Sequence, residues 1–140
     1  MDFSNIKTYS DEVIEQAIST LKKGGLIAFP TETVYGLGAD ATSDHAISSI
    51  YNFKNRPKIN PLICHVINKE MAYRYCHETK LSNLLAKTFW PGPVTMILNQ
   101  KKNNGISKLV TANLDSIAIR HPKNNIFEKI IRKFNKPIAA

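Results

Sequence analysis

The sequence lacks most features that mark secreted and membrane-spanning proteins. It has only two cysteines, Cys64 and Cys76, which lie too far apart for a CxxC site. No apolar run approaches the roughly 20 residues that cross a bilayer. The opening segment MDFSNIKTYSDEVIEQ has no basic stretch followed by an apolar one, so no secretory leader is expected. These absences predict a reduced, cytoplasmic protein that is not held in a membrane.

Familiar catalytic motifs are absent as well. The phosphate loop GxxxxGK[ST], the dinucleotide motif GxGxxG, the zinc motif HExxH and the nucleophile elbow do not occur. Cys64 lies in an apolar run, where a cysteine is more often a small core side chain than a nucleophile. No group of residues predicts a metal site held by the protein. The sequence thus gives no sign of a covalent enzyme intermediate.

Positive charge is what the chain has in excess. Nineteen Lys and Arg residues against eleven Asp and Glu residues give a formal net charge of +8. This balance favours anionic partners such as nucleotides, tRNA or phosphorylated small molecules. For charge alone, a merely basic surface is an equally good explanation. The aromatic residues are not interleaved with the lysines, as they are in single-strand binders.

Apolar patterns and capping residues predict strands alternating with helices. This order is typical of an α/β protein with a mixed sheet and flanking helices, and 140 residues favour a single domain over residues 1–140. In the fourth helix, Leu81, Leu84, Leu85 and Phe89 form the expected buried stripe. The predicted strands are LIAF, LICHV, VTMIL, SIAIR and PIAA. Three helices are predicted over residues 10–23, 68–75 and 81–89. A further helix is predicted to begin after Ser43, and the last one carries Ile126, Ile130 and Phe134.

The stretch FPTETVYGLGAD places hydrogen-bonding groups directly after an apolar strand. Ligands of open α/β sheets bind at strand ends, and Gly36 and Gly38 would let the backbone turn or approach a ligand closely. The alternative is a polar turn whose hydroxyls bond their own backbone, which is the stronger interpretation of this stretch alone. The side chains concerned are those of Thr31, Glu32, Thr33 and Tyr35.

The segment KNRPKINPL predicts a phosphate site. In an extended conformation Lys54, Arg56 and Lys58 would project to one side and suit a triphosphate. Asn60 adds a donor and an acceptor. The alternative is a solvated basic loop, which most short runs of charge are.

His65 and Arg120 each occur in an apolar strand. A lone histidine there is more often a satisfied core residue than a catalyst. An arginine at a strand end can anchor a ligand carboxylate, with a surface ion pair as the alternative.

Four segments in this order resemble the YrdC-like family of L-threonylcarbamoyladenylate synthases: GGLIAFPTETVYGLGADA, KNRPKINPLICHV, FWPGPVTMIL and LDSIAIRHP. The resemblance runs from about Ile14 to Ala140. It implies a twisted α/β sheet with a basic concave face. It also implies formation of threonylcarbamoyl-AMP and pyrophosphate from L-threonine, bicarbonate or CO2, and ATP, with Mg2+. Transfer proteins would then modify adenosine 37 of tRNA, and double-stranded RNA binding is a further implied property.

The resemblance also implies roles for individual residues. Lys54 and Arg56 would be catalytic, because they neutralise phosphate charge while a threonine carbamate attacks the α-phosphorus. Ser116 replaces the family's usual threonine and keeps the hydroxyl. The implied ATP contacts are Arg56, Asn60 and Ser116, and the implied threonine contacts are Thr31, Thr33, Tyr35, His65, Arg120 and Ala140.

The family pattern continues beyond KPIAA with P-S-A-N-x-S-G, whereas this sequence ends at Ala140. His121 and Asn124 also depart from the pattern. Two expectations stay open. One is that the chain is the N-terminal portion of a synthase, with a YrdC-like fold that is incomplete at its C-terminus and with very low turnover. The other is a catalytically inactive homologue that retains RNA or nucleotide binding.

Overall fold

The computed structural model describes residues 6–140, which form five helices and one six-stranded sheet. Residues 1–5, part of the segment predicted to carry no leader, lie outside the described range. The helices are α1 Asp11–Lys22, α2 Asp44–Lys54, α3 Lys69–Tyr75, α4 Lys80–Phe89 and α5 Asn125–Phe134. The strands are β1 Ile27–Phe29, β2 Gly36–Asp40, β3 Ile63–His65, β4 Met96–Asn99, β5 Ser116–Arg120 and β6 Ile138–Ala139.

The sheet is mixed, with the strand order β1-β2-β6-β3-β5-β4. Strands β3 and β5 run parallel, and the other neighbouring pairs run antiparallel. The predicted α/β class with a mixed sheet and flanking helices is confirmed. Strand β2 was not predicted, because two glycines lower its strand propensity and the polar residues before it favour a turn.

Polar side chains begin the helices as the sequence suggested. Ser10 accepts a hydrogen bond from the Val13 amide at 3.2 Å, and Ser43 accepts one from the Ala46 amide at 3.3 Å. Each cap satisfies one of the amides that a helix start leaves without a partner. These caps fix where α1 and α2 begin.

The predicted apolar stripe of α4 was wrong. Leu81 and Leu84 are 64% and 61% exposed, whereas Ser82 and Ala86 are buried. Ser82 completes a capping box with Thr79 and lies 3.1 Å from the Tyr73 hydroxyl. These polar contacts and the small Ala86 side chain place the Ser82 side of the helix against the rest of the protein. The apolar pattern carries no information about such contacts.

The Phe29 ring lies over the two glycines of β2. A Cβ atom on Gly38 would lie 2.6 Å from Phe29 Cε1 and 2.8 Å from Ile138 Cγ2, and one on Gly36 would lie 3.0 Å from Phe29 Cζ. Neither glycine has a positive φ. The expectation that they allow a turn is therefore corrected, whereas close approach to a ligand stays a prediction. Their missing side chains make room for a buried aromatic ring.

Phe29 also covers His65, together with Phe127 of α5. The His65 ring centroid lies 5.6 Å from that of Phe29 and 5.8 Å from that of Phe127, and His65 is only 5% exposed. Burial lowers the pKa of His65 to about 4, and the charge of Arg120 acts in the same direction. His65 is therefore neutral at pH 7.

Gly38→Ala should destabilise the fold by about 1 to 3 kcal/mol, because the new methyl group overlaps Phe29 and Ile138 in a closed core. Urea unfolding measures the change. Phe29→Leu makes space at the same point, so the Gly38→Ala penalty should be smaller in that background. If Gly38→Ala destabilised both backgrounds equally, contact with the Phe29 ring would not be the reason that position 38 requires glycine.

Acid should destabilise the protein through His65. The unfolded chain binds the proton near pH 6.5 but the folded protein only near pH 4, so acidification between these values favours the unfolded chain. Between pH 7 and pH 5 the free energy of unfolding should fall by about 2 kcal/mol from this group. His65→Gln should remove this contribution to the pH dependence of the free energy of unfolding. An unchanged difference between the two pH values in the variant would refute the assignment.

Candidate functional site

One face of the sheet carries four of the predicted site residues, namely His65, Ser116, Arg120 and Ala140. In the register, Ala118 of β5 lies between Ile63 of β3 and Ile97 of β4, and directly paired residues share a face. Ala140 follows β6 and exchanges two backbone hydrogen bonds of 3.0 Å with Ile63. These side chains form an apolar floor, and Ile97 is 73% exposed. The floor is therefore open to a ligand at least near β4.

His65 and Arg120 lie side by side at one end of this floor. They are paired in the parallel register of β3 and β5, two residues beyond Ile63 and Ala118. The same face continues because side chains alternate along a strand. Thr33 reaches this end from the β1–β2 loop, since Arg120 Nη2 donates a hydrogen bond to Thr33 Oγ1 at 3.4 Å. Three distant segments therefore meet around Arg120.

Arg120 is nearly buried and is held on two sides. Its Nε donates to the Gly92 carbonyl at 3.3 Å, and its Nη2 forms a 2.8 Å ion pair with Glu32. The Gly92 amide in turn donates to the His121 carbonyl at 2.8 Å, which ties the WPGP turn to β5. A Cβ on Gly92 would lie 2.3 Å from the Phe89 carbonyl oxygen. Only glycine therefore fits this support for Arg120.

No role was predicted for Glu32 from the sequence. Burial alone would raise its pKa, but the hydrogen bond and charge of Arg120, together with backbone hydrogen bonds, hold that pKa below its ordinary value. Glu32 is therefore ionised at neutral pH. The sequence contained two signals for this ion pair: an acid in the hydroxyl-rich loop and a single arginine at a strand end. Only the fold shows that they meet.

Thr31 organises the loop that carries Glu32 and Thr33. Its Oγ1 accepts from the amides of Thr33 and Val34 and donates to the Val34 carbonyl at 2.6 Å. Because the single hydroxyl proton of Thr31 goes to the Val34 carbonyl, Thr33 is the donor in the 3.1 Å contact between the two hydroxyls. The polar-turn alternative therefore describes Thr31 well. Tyr35 is 76% exposed at the end of this loop.

The predicted phosphate segment is a turn and not an extended strand. Lys54 ends α2, Asn55 follows with φ 51°, and the Asn60 amide donates to the Pro57 carbonyl at 3.0 Å. The expectation that Lys54, Arg56 and Lys58 project to one side of a strand is therefore corrected. The left-handed Asn55 and the two prolines, Pro57 and Pro61, impose the turn.

Arg56 and Asn60 nevertheless lie together. Arg56 Nε donates to the Asn60 carbonyl at 3.2 Å, and Arg56 Nη2 donates to the Pro61 carbonyl at 2.9 Å. The Tyr51 hydroxyl donates to the same Asn60 carbonyl at 2.9 Å. The guanidinium is thus oriented by the loop, and its remaining N–H groups are left for a ligand. Lys54 is exposed beside it.

Ser116 lies at the same end of the sheet as this loop. The parallel pairing of Ile63 with Ala118 brings Pro61 level with Ser116. Ser116 shares the face of Arg120 but lies four residues earlier in β5, or about 13 Å along the strand. Ser116 and the Arg56 loop therefore lie at the opposite end of β3 and β5 from His65 and Arg120, and Ala140 lies between them beside Ile63.

Two further structural findings concern residues 6–140. Within this range, no group of three or more His, Cys, Asp or Glu side chains is placed to hold a metal ion. None of the helices in the same range is both long enough and apolar enough to cross a membrane.

Comparison with known proteins identifies relatives over most of the chain. A threonylcarbamoyl-AMP synthase of Pyrococcus abyssi is 41% identical over 128 residues, which are 91% of this chain and 37% of that protein. A threonylcarbamoyl-AMP synthase of Bacillus subtilis is 39% identical over 141 residues, 100% of this chain and 40% of that protein. The chain therefore spans about two fifths of the length of these curated relatives.

A solved structure and a family model agree with these relatives. The crystal structure of P. abyssi Sua5 complexed with L-threonine superimposes with a TM-score of 0.89 at 38% identity, covering 96% of this chain and 39% of that chain. The Sua5/YciO/YrdC family model, described as "Telomere recombination", matches residues 19–140. The resemblance inferred from the four sequence segments is confirmed, and the chain belongs to the Sua5/YciO/YrdC family.

Proposed function

We propose that residues 1–140 form a YrdC-like domain that binds L-threonine and ATP at the two ends of this face. The proposed reaction forms threonylcarbamoyl-AMP and pyrophosphate from L-threonine, bicarbonate or CO2, and ATP. The relatives named threonylcarbamoyl-AMP synthase support it, as does the threonine complex of P. abyssi Sua5. The observation that carries the proposal is that the segments of Thr33, His65 and Arg120 meet at one end of this face.

The threonine end offers groups of the chemistry that an amino acid needs. Arg120 supplies a fixed positive charge for the carboxylate, and the Thr33 hydroxyl beside it can exchange a hydrogen bond. His65 Nδ1 is buried without a hydrogen-bond partner within residues 6–140, so a ligand could satisfy it. Both the amide and the carbonyl of Ala140 are engaged by Ile63, so only the second lone pair of that carbonyl oxygen can accept a hydrogen bond from a ligand. Thr31 and Tyr35 complete this pocket in the proposal.

The nucleotide end would bind ATP through Arg56, Lys54, Asn60 and Ser116. Arg56 presents a guanidinium already oriented by two carbonyl groups, which reduces the entropy lost when it binds phosphate. Lys54 adds a mobile charge. Mg2+ bound with nucleotides is commonly held by phosphate oxygens, one or two carboxylates and water. We assign no residue of this chain to Mg2+.

The chemical step would join the two ends. The threonine amine first becomes a carbamate, which attacks the α-phosphorus while pyrophosphate leaves. The small side chains of Ala118 and Ala140 leave the floor between the ends free for these groups. The protein would contribute alignment and charge neutralisation rather than a nucleophile. Burial raises the pKa of Cys64 and raises that of Cys76 to about 11, so neither thiol is a ready nucleophile.

The product would be consumed by proteins that transfer the threonylcarbamoyl group to adenosine 37 of tRNA. The net charge of +8 suits contact with RNA, including double-stranded RNA. Such a role places the protein in the cytoplasm, where tRNA is modified.

Two substitutions should weaken the binding of one ligand each. Arg120→Gln should lower threonine affinity at least tenfold and leave ATP affinity nearly unchanged, because it removes the charge that pairs with the carboxylate. Arg56→Ala should do the reverse. Isothermal titration with each ligand, at matched concentrations of folded protein, measures both affinities.

Arg74→Gln and Lys22→Ala are the matched controls, since each removes one exposed positive charge from a helix that carries none of the predicted site residues. They should bind both ligands as the parent does. If Arg120→Gln and Arg56→Ala weaken both ligands to the same extent, the division of the face into two ends is wrong.

Catalysis is tested by pyrophosphate release in the presence of L-threonine, bicarbonate and ATP. Release that requires all three supports the proposed reaction. Binding of nucleotide or RNA without any pyrophosphate release would instead favour the inactive homologue.

A further inference from the structure

The positive charge proposed to bind the threonine carboxylate already has a carboxylate on it. Glu32 Oε2 lies 2.8 Å from Arg120 Nη2, and the two side chains are only 20% and 10% exposed. The lowered pKa of Glu32 means that this carboxylate is charged at neutral pH. Arg120 therefore has its own counter-ion within the chain.

This ion pair uses the donor that a ligand would need. A carboxylate binds arginine most strongly through two parallel N–H bonds. Arg120 Nε is committed to the Gly92 carbonyl, and Nη2 is shared between Glu32 and Thr33. A ligand that takes two N–H groups of the guanidinium must therefore share or take over Nη2. A second carboxylate there would also be repelled by Glu32.

The Glu32 side chain can leave Arg120 without disrupting the core. It belongs to the loop of residues 31–35, where Val34 and Tyr35 are 73% and 76% exposed. The turn in this loop is closed by hydrogen bonds from Thr31 to Val34, which do not involve the Glu32 side chain. Rotation of Glu32 towards solvent therefore costs the ion pair and the backbone hydrogen bonds of its carboxylate, but little apolar burial.

We propose that Glu32 is an internal competitor for the carboxylate site, and that a ligand carboxylate binds Arg120 by displacing it. The inference rests on the proposed binding of threonine at Arg120. In the free protein the ion pair keeps a nearly buried guanidinium compensated, which favours the folded state. In the complex the ligand takes over that role. Glu32 thus stabilises the free protein and weakens the affinity for threonine.

Glu32→Gln separates these two effects. Glutamine keeps the size of the side chain and can still accept a hydrogen bond from Arg120, but it does not repel a carboxylate. The variant should bind L-threonine roughly three- to tenfold more tightly than the parent and should unfold at a lower temperature. A residue that only supports the pocket would lose stability and affinity together. Isothermal titration and thermal unfolding measure the two quantities.

Glu15→Gln is the matched control, because Glu15 is an exposed acid that pairs with Lys133 and its loss changes the net charge equally. It should leave threonine affinity unchanged. L-Threoninamide is the control ligand, because it lacks the carboxylate. Glu32→Gln should not tighten its binding.

The outcomes distinguish the two proposals. If the parent binds threonine and Glu32→Gln binds it equally or more weakly, Glu32 is not a competitor, although the threonine site stands. If both ligands bind more tightly to Glu32→Gln, the effect does not depend on a carboxylate and the inference is also wrong. If neither protein binds threonine, the proposed function fails and the inference fails with it.

Discussion

Parallel pairing of β3 with β5 is the constraint on which the candidate site depends. This register sets His65 opposite Arg120 and Ile63 opposite Ala118. A shift of one residue would move each side chain of one strand to the other face and separate the pair. The same register carries Ser116 to the end of the sheet where the Arg56 loop enters β3. Both ends of the proposed site therefore follow from one strand pairing.

The support of Arg120 shows how a charged group is kept almost inside the fold. An isolated buried charge would be very costly, so the guanidinium needs both a carbonyl and a carboxylate close to it. Gly92 supplies the carbonyl from a turn that only glycine fits, and Glu32 supplies the carboxylate from a surface loop. The rigid partner fixes the position of Arg120. Glu32, the partner from the loop, is the one that we propose a ligand replaces.

The sequence predicted the family, the α/β class and most elements, because apolar runs, helix caps and four motifs in order are local signals. It failed where tertiary packing decided the outcome. The glycines of β2 resembled a turn because the sequence pattern does not show that β1 pairs with β2 and lays the Phe29 ring over them. The exposed face of α4 depends on the contacts of Ser82, and the bend after Lys54 depends on Asn55.

The candidate site shows the same contrast between what local sequence signals predict and what tertiary packing decides. The family resemblance assigned roles to Thr33, His65 and Arg120, and the fold brings their segments together. The role of Glu32 could not be inferred, since an ion pair between residues 32 and 120 requires the sheet that joins their segments. The functional roles themselves stay predictions.

Mapping the two ligands by NMR tests the central claim most directly. In a 15N-labelled sample, L-threonine should shift the amide signals of Thr33, His65, Arg120 and Ala140, and ATP should shift those of Arg56, Asn60 and Ser116. The two sets should overlap only near Ala118, in the middle of the floor. Shifts from either ligand centred on the lysine-lined loop of residues 101–108, or one common set for both ligands, would contradict a site divided along one face of the sheet.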